Sequence, residues 1–258
     1  MEPGIPNYKL TQVIFQHRYD HGYRYFDVCG NTLFELVETC PDYVPEAMGP
    51  HTGILRHSFL PMAIAFGPAD ASLTLDGNPF VDSVENFKSD LCKLFPVIER
   101  NLKPTRTTRF GIRTYDIFAT ESVTAAVNYF KKSKFLSTNE EITVLLGKRS
   151  VGHGVTFKVE DESGGMRLAL GTVKRTDASN ITDQISIEDV KSAPQKPNHP
   201  SEKDFVAYLK KIRDLKESAN FGVQIDIDFF ATCPTIGFEE FVDAAFENRK
   251  NILSKLPQ

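Results

Sequence analysis

Two carboxylates at alternate positions, Asp226-Ile-Asp228, stand at the end of an apolar run. Successive strand residues point to opposite faces, so the pair would share one face, where it could hold a hard divalent cation or meet two cationic side chains. A second chemical set lies on the stretch 106–118, where Arg109, Gly111, Arg113 and Tyr115 alternate with Phe110 and Ile112 and so emerge on one polar face. A guanidinium does not shed its charge, and a carboxylate taken out of water must be paired. The spacing therefore predicts an Arg–Asp ladder between the two strands, a structural or binding surface in preference to a metal or catalytic centre. A third arginine, Arg249, falls inside the apolar stripe Phe238, Phe241, Val242, Ala245, Ile252, Leu253 and Leu256. Because this helical pattern follows the Asp226/Asp228 strand directly, Arg249 is expected either to reach back to those carboxylates or to rim the face.

The remaining chemistry-bearing residues point elsewhere. Asp189-Val-Lys191 with Asp183 has the acid–lysine composition of metal-dependent nucleases, but it sits in a polar stretch without the rigid support a metal site needs. His17 and His57 fall on apolar strand faces and read as hydrogen-bonded core histidines; with His21 and His51 they show no metal or catalytic spacing. Leu146-Gly-Lys-Arg-Ser150 lacks the first glycine of a phosphate loop, and Gly152-His-Gly154 lacks the rest of a dinucleotide fingerprint. H-E-x-x-H, G-x-S-x-G and paired Cys/His spacings are absent from the sequence. The run Lys131-Lys132-Ser133-Lys134 reads as the solvated C-terminus of a helix. No cofactor and no metal are expected.

Composition narrows the partners. The 258 residues include 30 Lys plus Arg against 34 Asp plus Glu, a formal charge of −4. The pI is near 5.9, so the global basic field of a phosphate-binding protein is missing and nucleic acid is not the expected partner. No apolar run is long enough to span a bilayer, so no membrane partner is expected. Four cysteines are scattered at 29, 40, 92 and 233, and the opening Met1-Glu-Pro-Gly-Ile-Pro has neither a charged nor an apolar leader region. Together these lead to the expectation of a reducing, cytoplasmic location.

The elements that must position these residues follow from periodicity. Period-2 alternation predicts strands over 11–19, 53–59, 62–66, 71–75, 106–118, 142–149, 155–160, 166–174 and 222–230. Helical spacing predicts helices over 23–39, from Pro79 to about Ile98, 121–132, 201–217 and 238–256. Gly30 weakens the first, Pro41 and Pro45 close it, and Pro96 threatens the end of the second. The order helix, three strands, helix, long strand occurs twice. The expected fold is α+β, two tandem sheet-and-helix halves with mainly antiparallel strands, 1–120 and 121–258, with a mobile loop over 176–200.

Three segments carry a resemblance: Tyr8-Lys-Leu-Thr-Gln-Val-Ile-Phe-Gln-His-Arg18, Arg109-Phe-Gly-Ile-Arg-Thr-Tyr115, and Ile225-Asp-Ile-Asp-Phe-Phe230 followed by the helix carrying Phe241 to Leu253. The chain resembles a sporadically distributed bacterial family of uncharacterised proteins, which have an N-terminal apolar strand, a central Arg-Ile-Gly-Leu-Arg-Tyr string, and a late Asp-x-Asp strand before a C-terminal helix. Here Phe110 and Ile112 stand for the aliphatic pair, Thr114 intrudes before Tyr115, and Asp116 follows the tyrosine where the family has an asparagine shortly after it. The resemblance implies a bacterial cytoplasmic protein and supplies no substrate. The function expected is a non-catalytic ligand-binding or protein-interaction module with an unknown protein or small-molecule partner, its binding residues drawn from Arg109, Arg113, Tyr115, Asp226, Asp228 and Arg249. The opposing expectation is a metal-dependent hydrolase or nuclease using Asp226 and Asp228.

Overall fold

Among the described residues, alternation along the chain produces one antiparallel sheet with the helices on one side of it. A computed structural model describes residues 8–20, 22–76, 81–133, 154–174, 221–234 and 236–257. Among them are nine strands and four helices. In chain order these are β1 (Tyr8–Asp20), α1 (Tyr25–Thr39), β2 (Tyr43–Met48), β3 (Gly53–His57), β4 (Met62–Phe66), β5 (Asp70–Asp76), α2 (Val81–Leu102), β6 (Arg106–Thr120), α3 (Val123–Ser133), β7 (Gly154–Asp161), β8 (Gly164–Lys174), β9 (Phe221–Thr232) and α4 (Phe238–Lys255). The sheet order is β2-β3-β4-β5-β1-β6-β9-β8-β7. Every pairing is antiparallel. The fold class is α+β, and the sheet runs unbroken past residue 120, because β6 pairs with β9 along its length.

The apolar residues of each strand face the helices. Phe15 of β1 is fully buried, its ring 4.9 Å from Phe95 of α2, 5.9 Å from Phe110 of β6 and 6.5 Å from Phe241 of α4. Burying a side chain of this size stabilises the fold by roughly 2 kcal/mol or more, so this aromatic knot anchors both helices. A second cluster joins Tyr8, Tyr129, Phe130, Leu170, Val223, Ile225 and Leu253 beneath α3 and the end of α4. Tyr8 reaches it because Thr11 is an extra residue in the β1–β6 ladder, and the bulge resets which side chains face the helices. The Tyr8 hydroxyl donates to the Pro257 carbonyl and lies 2.8 Å from the Tyr129 hydroxyl.

Arg249 departs from the expectation that it would reach Asp226 or Asp228. Its partner is Asp116: Nε donates to Oδ2 at 2.9 Å and the guanidinium also donates to Oδ1. Asp116 lies on the helix-covered face of β6 and is 0% exposed, and α4 packs across β6. Asp226 and Asp228 point to the other face, which α4 does not touch. His17 is a core histidine, with Nε2 2.9 Å from Thr107 Oγ1. Its Nδ1 lies 3.5 Å from Glu99 Oε1 without a hydrogen bond, and burial, overriding that carboxylate, lowers the ring pKa to about 4. His57 Nδ1 accepts from the backbone of Phe59 and Leu60.

Two elements differ from the sequence reading. Pro45 lies within β2, which was expected to be a closing segment; an edge strand tolerates a residue with no N–H, and the ladder with β3 slips beside it at Glu46. α2 continues past Pro96 to Leu102. The expected strand 142–149, helix 201–217, loop 176–200, His21, the Pro79 start of α2, Lys134, the Gly147 and Gly152 turns, and the Asp183, Asp189 and Lys191 set lie outside the described residues.

Removing Arg249 would leave a carboxylate buried without a counter-charge. Arg249→Ala is expected to lose about 3 to 5 kcal/mol in denaturant melts, whereas the joint change Arg249→Met with Asp116→Leu should restore most of the loss. The His17 ring gives a pH signature. Its folded pKa is depressed, so the stability it contributes is complete above its ordinary 6.5 and is lost as pH falls toward about 4. The fall amounts to roughly 3 kcal/mol. His17→Gln, which cannot titrate, should flatten the stability profile across that window.

Candidate functional site: the polar face of the sheet

Opposite the helices, β6, β9 and β8 present their polar residues. Register sets the geometry: Arg113 stands across from Asp228, which stands across from Arg167 of β8, while Tyr115 stands across from Asp226. The arginines lean along the sheet and do not bond straight across. Arg113 donates through Nε and a terminal nitrogen to the two oxygens of Asp226, at 2.8 and 2.7 Å. Its guanidinium lies 4.9 Å from the Tyr115 ring centroid. Arg109 reaches across Gly111 to Asp228 at 3.2 Å, its guanidinium 4.6 Å from the Phe230 ring centroid. A Cβ at Gly111 would sit 3.6 Å from that guanidinium, in ordinary van der Waals contact with it, so the Arg109 side chain lies directly over this position. Arg167 approaches the other side of Asp226, at 3.5 Å.

The hairpin that delivers Arg167 depends on Gly164. Its φ is +149°, and a Cβ there would fall 2.3 Å from the Phe230 carbonyl of β9. Only glycine lets β8 start so close to β9. Asp161 closes the same turn by accepting from the backbone N–H and hydroxyl of Ser163, at 2.8 and 2.6 Å, and these bonds pull its carboxyl below the usual range.

The electrostatics are those of a closed ladder with spare donors. Hydrogen bonding to Asp226 holds the Arg113 pKa above its ordinary value, and burial raises the Tyr115 phenol. On the β1–β5 side of this face, Gln16 donates to Asp70 at 2.8 Å, Arg18 donates to Gln16 at 3.0 Å, and Gln12 donates to Asp76. The expected Arg–Asp pairing is thus present, and Arg109, Arg113, Tyr115, Asp226 and Asp228 are brought together. Arg249 is not with them; it lies on the helix side. Arg167 was missed, although the sequence carried a signal: Met166, Leu168 and Leu170 alternate inward and leave Arg167 facing out.

Asp226 and Asp228 both carry guanidinium partners and so are poorly placed to act as a general base. Among the described residues no group of three His, Cys, Asp or Glu side chains could hold a metal ion. No helix among them is long and apolar enough to cross a membrane. What the arrangement can do chemically is present charged N–H donors at fixed positions. Neither a scan against family models nor a search of the curated proteins finds a match to this chain.

A double-mutant cycle on Arg113→Ala and Asp226→Ala is expected to give a coupling of about 1.5 to 3 kcal/mol. The Arg109/Asp228 cycle should give less, because that contact is longer and Asp228 is more exposed, 23% against 12%.

Proposed function

We propose that this protein is a non-catalytic binding module whose polar sheet face holds an acidic polypeptide segment in extended form. The observation that carries the reading is that three guanidinium groups converge on two carboxylates and still face solvent, Arg109 and Arg113 held by hydrogen bonds and aromatic rings and Arg167 standing 3.5 Å from Asp226. Arg109, Arg113 and Arg167 keep 27%, 38% and 38% of their side chains exposed. They outnumber the two aspartates among them, leaving local positive charge and unused N–H donors. Donors already held in position recognise carboxylates without a further ordering cost. Arg109 and Arg113 are bonded to Asp228 and Asp226, which lie two residues apart on β9, about 7 Å, the distance between residues i and i+2 of an extended chain. An acidic segment lying along the strand would match them.

The two tandem halves belong to the same proposal. The first, 1–120, supplies β6, and the second, 121–258, supplies β8 and β9, so the recognition face forms where they meet. A bacterial, cytoplasmic setting completes the reading.

The test is fluorescence anisotropy with a labelled peptide carrying glutamate at alternate positions. Binding should weaken with salt and fall about tenfold with each of Arg113→Gln and Arg167→Gln. Equal binding by wild type and both variants would overturn the proposal, as would tighter binding of a single-stranded oligonucleotide. A thermal shift with Mn²⁺ or Mg²⁺ that disappears in Asp228→Asn would favour a metal-dependent hydrolase instead.

A further inference from the structure

Helix α1 carries an apolar stripe turned away from the core. Phe26 and Phe34 are 60% and 64% exposed, with Gly30 midway between them, one turn from each. A Cβ at Gly30 would meet nothing within 4 Å, so the stripe reads as knob, hole, knob. Beside the hole, Met48 at the end of β2 is 65% exposed and lines, with Phe26, Gly30 and Pro50, a recess of about 330 Å³. Glu35 of α1 is tied to Arg100 and Asn101 of α2, so α2 covers one flank of α1 and Phe26 lies on the opposite flank.

We propose that this surface is the contact of a homodimer in which α1 packs antiparallel against α1 of a second copy. The spacing is its own complement: a twofold axis through Gly30 brings Phe26 of each copy against Phe34 of the other and sets the glycines at the closest approach. Charge agrees with this register. Arg24 lies six residues before Gly30 and Glu38 eight residues after it, so across the axis the two come within about 3 Å of level along the helix. Both are exposed, and neither has an ion-pair partner among the described residues. An acidic or basic helix of another protein would satisfy only one of the two. Strand addition at the neighbouring β2 edge is disfavoured, since Pro45 and the slip at Glu46 interrupt the ladder. The dimer is independent of the polar sheet face, which lies on the other side of the sheet.

The patch is small for a protein interface, so a dissociation constant in the micromolar range is expected. Sedimentation of the full chain across micromolar to submillimolar concentrations should show a monomer–dimer equilibrium. Phe34→Glu, at a solvent-facing position, should leave the circular dichroism melt unchanged and abolish the dimer. Arg24→Glu and Glu38→Arg should each weaken it about tenfold, and the double exchange should restore it. In a Cys233→Ser background, Gly30→Cys should oxidise to a disulfide-linked dimer. A monomer at every concentration would overturn the proposal, as would a dimer that survives Phe34→Glu and does not crosslink through position 30.

Discussion

The two-residue period of β6 is the constraint on which the rest of the structure depends. This strand lies in the interior of the sheet between β1 and β9, and each of its side chains must go either to the helices or to the polar face. Phe110, Ile112, Thr114 and Asp116 take the helix side, and Arg109, Arg113 and Tyr115 take the other. A one-residue slip against β9 would turn three charged or phenolic groups into an aromatic core. The aromatic knot around Phe15 and the Arg–Asp ladder therefore enforce the same register from opposite faces.

Asp116 is the exception to the segregation of charge. A fully buried carboxylate on the helix face has an unfavourable desolvation cost, which the two-pronged contact with Arg249 offsets. A hydrophobic pair of similar volume would hold α4 to the sheet about as well. The ion pair adds direction: a guanidinium fork fits one carboxylate in one orientation, so it selects which turn of α4 lies over β6. With Tyr8 bonded to Pro257 at the far end, the C-terminal helix is fixed at two separate points.

Much of the fold was legible because alternation is a local property. The strands 62–66 and 71–75, the long strand 106–118 and the helix 238–256 follow from side-chain period within each segment. What could not be read was non-local or depended on edges. β2 carries a proline and few core residues, and only its place at the sheet edge makes that acceptable. The ladder partners were legible because Asp226, Asp228, Arg109 and Arg113 sit on strands whose faces are set by their own sequence. Arg249 was different: its partner depends on where α4 crosses the sheet. The sequence near Arg249 gave no means of choosing between a carboxylate on the near face of β6 and two on the far face of β9. The bulge at Thr11, which turns Tyr8 toward the helices, likewise reflects a mismatch between two strands and leaves no mark in either alone.

The carboxylates of the open face are best understood by what they do to the arginines. An isolated surface arginine samples many rotamers and loses that freedom when it binds, a cost of up to about 2 kcal/mol per side chain. Asp226 and Asp228, with the rings of Tyr115 and Phe230, restrict that freedom for Arg109 and Arg113. They do so without neutralising the face, because Arg167 brings a third charge beside Asp226. Metal chemistry would require the opposite arrangement, with carboxylates open and cations held away. Around Asp226 the side chains are ordered the other way: the acid is the more buried group, and the guanidinium edges of Arg113 and Arg167 meet solvent.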